Sequence, residues 1–403
     1  MRSGRLRTRA TAAAVTLALL AVGSGQAFAH TPWPPVPPQY TAVDLGTLGG
    51  SGSYGVALDR DTVVGNSETA GAEWHAFAYD RSTHVITDLG TLGGSSSSAV
   101  GVQGRHVIGN ATLADGNRRG FVYDLRTRRM QALGTFGGTD SQVTAISSGH
   151  TVVGSARTPG NQSTHAFVYD IRTDVMTDLG TPAGPAGVSS PIGISQGRFV
   201  AGTWNVPGAQ YDGGRPFVYD LRTHVMTDVG VHGGVHSKAT SFSGHTIVGI
   251  TQPQPSSGTG ELPPVHGFAY DIRTGIWTDL GAEMASQPLV TGHTVVASNR
   301  PAAYALDLTT LTVTPFGPGP GRTGIDGVSG QLVVGEAFPG PFCYVYRIDT
   351  QRLTQLHALG GVQATASGVD RHGSVTGSSA TAPPDPSTPD GPYHATLWTL
   401  SVT

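Results

Sequence analysis

Cysteine is nearly absent: Cys343 stands alone in 403 residues, so no intramolecular disulfide can form and the chain must be held by its own core. Lysine is as scarce. Lys238 is the sole one beside 23 arginines, charged residues are 13% of the chain, and the formal net charge is -3. That balance gives no support to a nucleic-acid or anionic-membrane partner. Arginine in place of lysine, with abundant glycine and alanine, points to a GC-rich bacterial genome. After residue 29 there is no apolar run of the roughly 18 residues that a membrane span needs. No stretch beyond that point repeats its apolar positions with helical period either, which excludes long helices.

The first 29 residues differ from the rest. Arg2, Arg5, Arg7 and Arg9 precede an apolar stretch over 12–22 and a small-residue exit at Ala27-Phe28-Ala29. This reads as a secretory signal peptide cleaved before His30, and the expected location is extracellular. Thr8 separates Arg7 from Arg9, so a twin-arginine signal is missing, and no cysteine follows to accept a lipid. Residues 30–39, with Pro32, Pro34, Pro35, Pro37 and Pro38, read as an extended spacer.

From Asp44 to Trp398 one phrase returns. His165-Ala166-Phe167-Val168-Tyr169-Asp170, then Ile171-Arg172-Thr173, then Met176-Thr177-Asp178-Leu179-Gly180 states it in full. Its tyrosine recurs at Tyr79, Tyr123, Tyr169, Tyr219 and Tyr270, in steps of 44, 46, 50 and 51 residues, and degenerate copies follow around Leu306, Tyr346 and Trp398. A fixed period means one supersecondary unit copied many times. Within the unit both faces of 166–169 are apolar, which predicts a strand buried on both sides. Further strands are predicted over 142–147, 151–155 and 175–179, with Asp170 to Thr173 as a tight hairpin.

Four short strands in about 46 residues are the mark of a β-propeller blade, with a β-helix coil as the main rival. The ends favour the ring. Residues 41–45 match the last strand of the unit and 395–399 its third, so pairing the two would complete one blade and remove two open sheet edges. The expectation for 40–403 is therefore an all-β fold: a single propeller of eight four-stranded blades, or seven if the unit near Leu306 is not a blade. His75-Ala76-Phe77, His165-Ala166-Phe167 and the Asp-Leu-Gly-Thr-Leu-Gly-Gly runs at 44–50 and 88–94 resemble the HAF-type repeats of bacterial extracellular proteins. That resemblance covers nearly the whole chain after residue 40 and implies an exported repeat protein without a defined activity. It weakens in the last three units, where Ala302-Ala303-Tyr304 and His394-Ala395-Thr396 stand for His-Ala-Phe.

The repeated polar residues read as structure. A ligand set has no need to recur in every blade, so His75, His165, His266 and His394 are expected to bond loop carbonyls or amides and fix one blade to the next. Gly46 to Gly50 is expected to turn with positive φ, since no helix follows to make it a phosphate cradle. Gly193-Ile194-Ser195-Gln196-Gly197 has the spacing of a nucleophile elbow, but it aligns with a strand-turn-strand and lacks the elbow's helix. Asp385 to Gly391 carries two acids, yet its prolines and missing glutamate break the calcium-loop pattern. No cofactor, metal or catalytic set is expected, and the chain is expected to be a monomer.

The candidates for function lie where the repeat breaks, in long loops on one rim: Trp74, Trp204, Tyr211, Asp212, Glu261 and Tyr393, with His232 and His236 in a blade link. Three readings compete. The foremost is a binding scaffold gripping a glycan, peptide or cell-wall component through aromatics and carboxylates. The second is a secreted enzyme acting on glycans, with a carboxylate pair such as Asp212 and Glu261 flanking the bond. The third is a structural envelope protein with no small-molecule site. His232 and His236 lack a visible third metal ligand.

Overall fold

The computed structural model describes residues 15–16, 40–205, 214–254, 263–299, 302–317, 322–338, 342–383 and 392–401. These form eight antiparallel sheets, one per repeat. Blade 3 shows the plan: Ser141–Ser147, Thr151–Arg157, Thr164–Asp170 and Val175–Gly180 pair in sequence order. Blades 1, 2, 4, 5, 6 and 7 occupy 49–88, 93–132, 188–228, 234–281, 289–316 and 322–356. Blade 8 takes its first three strands from 364–400 and its outer strand from Tyr40–Asp44. The first strand of each blade touches those of the blades before and after it, and the series closes from blade 8 to blade 1. First strands therefore line the centre of a ring. The degenerate unit around Leu306 is a true blade, which settles eight over seven.

Ring closure is as the sequence predicts. Tyr40–Asp44 runs antiparallel to Tyr393–Leu400, with Thr41 opposite Thr399 and Asp44 opposite Thr396. Two residues of the leader-like segment, Val15–Thr16, lie parallel to the outer strand of blade 5, opposite Thr278 and Asp279. Among the described residues there is no α-helix, only the 3-10 turns Pro159–Asn161 and Ala282–Met284. No described helix is long and apolar enough to cross a membrane.

Packing explains the phrase. Ala166, Phe167, Val168 and Tyr169 are all buried, because the two faces of the third strand meet the blades on either side. Phe77, Phe121, Phe167, Phe217 and Phe268 are fully enclosed, each contributing about 2–3 kcal/mol by burial. Opposite each ring stands a second-strand glycine. A Cβ on Gly154 would sit 2.6 Å from Phe167 Cζ and 2.1 Å from Gln142 O, so only glycine fits. In the hairpin after the third strand Asp170 Oδ1 accepts the Arg172 N–H at 2.8 Å, and Asp80, Asp124, Asp220, Asp271 and Asp307 do the same in their blades. Gly46 and Gly49 turn the first blade link at φ 76° and 101°.

Candidate functional site

The repeated histidines are struts within their own blades. His75 Nδ1 lies 2.9 Å from Asp88 Oδ2, and His165–Asp178, His266–Asp279 and His394–Asp44 repeat the contact at 2.9, 3.0 and 2.9 Å. The same carboxylates accept the N–H two residues on, as Asp88 does from Gly90 at 2.7 Å. This corrects the expectation that the histidines reach to the next blade: the Asp-Leu-Gly carboxylate, across the hairpin, takes the imidazole first. His165 alone adds a loop carbonyl, Pro185 O, at 3.3 Å.

The blade joint belongs instead to a serine that the sequence reading did not single out. Ser97, on the first strand of blade 2, accepts the Ala76 N–H of blade 1 at 2.9 Å and donates to Gly90 O at 2.6 Å. Ser189 and Ser53 repeat both bonds at their joints. At these three joints one hydroxyl satisfies a buried N–H and a half-buried carbonyl.

The predicted site residues part company. Trp204 is only 8% exposed: its indole N–H donates to Asp228 Oδ1 at 3.3 Å, and Arg215, standing where other blades carry histidine, pairs with Asp228 and lies over the Trp204 ring. It is an interior residue, not a surface anchor. His232 stacks on Trp277 with ring centroids 4.4 Å apart, and its Nε2 donates to Val229 O. His236 Nδ1 is buried with no hydrogen-bond partner. The two histidines thus have separate surroundings, and no group of three His, Cys, Asp or Glu among the described residues could hold a metal. Tyr211, Asp212 and Glu261, like Asp385 and Asp390, lie outside the described residues.

Trp74 and the backbone of Tyr393 flank one glycine at the seam of blades 1 and 8, on the rim of the blade links: the Cβ position of Gly52 is 3.7 Å from the Trp74 ring and 3.6 Å from Tyr393 O. Tyr54 joins them, its ring centroid 5.7 Å from that of Trp74. Tyr54 and Trp74 are 42% and 41% exposed, and with Phe338 they are the exposed large aromatics among the described residues. The sequence held a signal for Tyr54: the matching positions in blades 2, 3, 4 and 8 are Ser98, Gln142, Ser190 and Thr365. The Tyr393 hydroxyl donates to Gln363 and fixes the phenol to blade 8.

A second cluster stands on the inner wall. The first strand of blade 7 is broken into Arg322–Thr323 and Gly327–Ser329, with the same one-residue bulge that blades 1 to 3 have. At the bulge position, where those blades carry Val56, Val100 and Thr144, stands Asp326, close enough to Glu336 and Arg322 to feel their charges. Desolvation, reinforced by the Glu336 charge, raises the Asp326 carboxyl to about 6, and desolvation raises Glu336 as well. Asp326 is nevertheless solvent-accessible. Both facts hold together at the centre of a ring, where water reaches a side chain that protein surrounds.

The fold defines the class: this is an eight-bladed β-propeller. No family model and no curated protein matches the sequence. Among solved structures the Dos1 propeller is similar with a TM-score of 0.57 at 12% identity, covering 90% of this chain and 96% of that one. A prolyl endopeptidase is similar at 0.54 and 13% identity over 76% of this chain and 50% of its own. TolB from Acinetobacter baumannii, at 0.38 and 14% identity over 67% of this chain, is matched over 64% of its own length. Likeness of this order establishes the propeller and nothing of its chemistry.

Proposed function

We propose that this chain is an exported scaffold of the HAF-repeat kind that binds an extracellular or cell-wall glycan at the seam of blades 1 and 8. One observation carries the reading: Tyr54 and Trp74 stand exposed as a pair on a rigid rim. Flat aromatic faces with a polar tip suit the apolar faces of sugar rings, and anchoring them on strands keeps the ordering cost of binding low. The arginine-bearing leader over 1–29 supports export. Retention of the purified protein on cell-wall and extracellular glycan fractions tests the proposal. Trp74→Ala should lower retention at least ~10-fold, a loss of about 1.4 kcal/mol, while the melting temperature holds. Retention unchanged in Trp74→Ala, or lost in step with stability, refutes it.

A second reading rests on the inner carboxylates. An aspartate raised to about 6 beside a second acid fits the general acid of a glycan-cleaving enzyme. Turnover of those glycan fractions that disappears in Asp326→Asn would establish it, and turnover unchanged in that variant would remove it.

A further inference from the structure

The rim opposite the aromatic seam carries the hairpins, and there the adjacent blades 1 and 8 each present an arginine, Arg60 and Arg371. After the first strand, blades 2, 5, 6 and 7 place a glycine at positive φ: Gly104, Gly244, Gly292 and Gly330, at 58°, 60°, 56° and 57°. Blades 1, 3 and 4 put Arg60, Ser148 and Gln196 there, at φ 53°, 57° and 54°. An L side chain adopts that conformation only at a cost, and glycine, the solution of the other four, would relieve it at Arg60. In blade 8 the same hairpin widens to 370–374, held by Asp370 Oδ1, which accepts the N–H groups of His372 at 2.8 Å and Ser374 at 2.9 Å.

The hairpins of blades 1 and 8 face one cavity. A space of ≈ 540 Å³ opens at the mouth of the ring, lined by Asp59, Arg60, Gln103, Asp370, Arg371 and His372 together with Ser148, Gly149 and Ser329 from the hairpins of blades 3 and 7. That volume suits a small molecule of one or two rings. Arg81 ties the seam, donating to Arg60 O at 2.8 Å and lying 4.0 Å from Asp370 Oδ2. Arg371 Nε donates to His372 Nε2 at 3.1 Å. Among the described residues Arg60 and Arg371 have no carboxylate partner, whereas nearby Arg347 is paired with Asp349 at 2.9 Å. Two unpaired guanidiniums offer the planar fork that carboxylates fit. Asp59 and Asp370 in the same wall oppose a bare anion and accept hydrogen bonds from hydroxyls.

We infer that this hairpin-face cavity binds a sugar acid, with Arg60 and Arg371 holding its carboxylate and Asp59, Asp370, Gln103 and His372 its hydroxyls. The site is separate from the aromatic seam and stands or falls without it. Calorimetric titration of the full chain with D-glucuronate, D-glucose and inorganic phosphate tests it. Glucuronate should bind at least ~10-fold more tightly than either control. Arg60→Gly should raise the melting temperature, by removing the strained backbone, and weaken glucuronate ~10-fold or more. Arg371→Gln should weaken binding similarly at an unchanged melting temperature. Wild-type affinity in Arg60→Gly overturns the inference. Phosphate binding as tight as glucuronate reduces the site to bulk charge and overturns it as well, as does the absence of any binding heat at ~10 mM glucuronate.

Discussion

Replacing Ser97 by alanine should weaken the ring well beyond what one small hydroxyl suggests. Its Oγ accepts the Ala76 N–H and donates to Gly90 O, and the residue is 4% exposed. Alanine leaves the buried Ala76 N–H unpaired, at about 1–3 kcal/mol, and takes the partner from the half-buried Gly90 carbonyl at about 1 kcal/mol, so a loss of ~2–4 kcal/mol is expected. For a chain of this length a kilocalorie moves the midpoint by roughly 1–2 °C, which puts the fall in melting temperature at ~3–6 °C. Ser95→Ala is the control: Ser95 is exposed on the same strand and should change stability by less than about 0.5 kcal/mol. Differential scanning calorimetry or urea titration of the pair decides. If Ser97→Ala matches Ser95→Ala, water or a relaxed backbone satisfies the joint and the serine is not what fixes blade to blade.

Three further outcomes are expected. The Asp220 carboxyl is held down to about 2, first by its hydrogen bonds from Arg198, so its share of stability is present above pH ~4 and lost as pH falls toward 2; Asp220→Asn should flatten that acid limb of the melting curve. Asp326 has the opposite sign: its folded state holds the proton more tightly, so stability falls as pH rises from ~4 through about 6, and Asp326→Asn should raise stability at pH ~8 by about 1 kcal/mol after allowance for its exposure to water. A melting temperature unmoved at that pH would mean that the ring does not desolvate the group. Deleting residues 40–44 should cost more than ~5 kcal/mol through lost strand pairing and the burial of Tyr40, and expose the edge of blade 8, read as aggregation on size exclusion.

Much of the architecture was open to reading because the phrase repeats both its apolar strand and its turn. Phe167 and Tyr169 with Ala166 and Val168 mark a strand buried on both faces, Asp170 marks the hairpin, and the split unit at the two ends marks the closure. The His–Asp strut was legible in principle: pairing Asp170 with Val175 brings Phe167 opposite Asp178, two residues from His165 and on the same face of the strand. The serine joint was not. In Ser95-Ser96-Ser97-Ser98 nothing local says which hydroxyl turns inward, since that depends on how the Gly-Gly turn sets the register of the following strand. Trp204 misled because an aromatic beside a long insertion looks like an anchor, whereas Arg215 in the histidine position bonds Asp228 Oδ2 and the indole bonds Oδ1. Asp326 was missed because its blade is degenerate, and only the strand pairing shows that it takes the bulge position held by Val56, Val100 and Thr144 elsewhere.

The fourth strand of blade 8 comes from the opposite end of the chain, and its Thr41 hydroxyl reaches Ser401, 360 positions away. Joining ends so far apart costs ~5 kcal/mol in chain entropy, which no single blade repays. Closure must therefore come late, after the other blades have stacked and brought the ends within reach. A molecule whose synthesis stops before the final strand keeps Tyr40–Asp44 without a neighbour, however well its earlier blades have formed. The clasp works as a test of completeness: only a finished chain becomes a sealed ring, and unfinished ones present a loose strand to proteases.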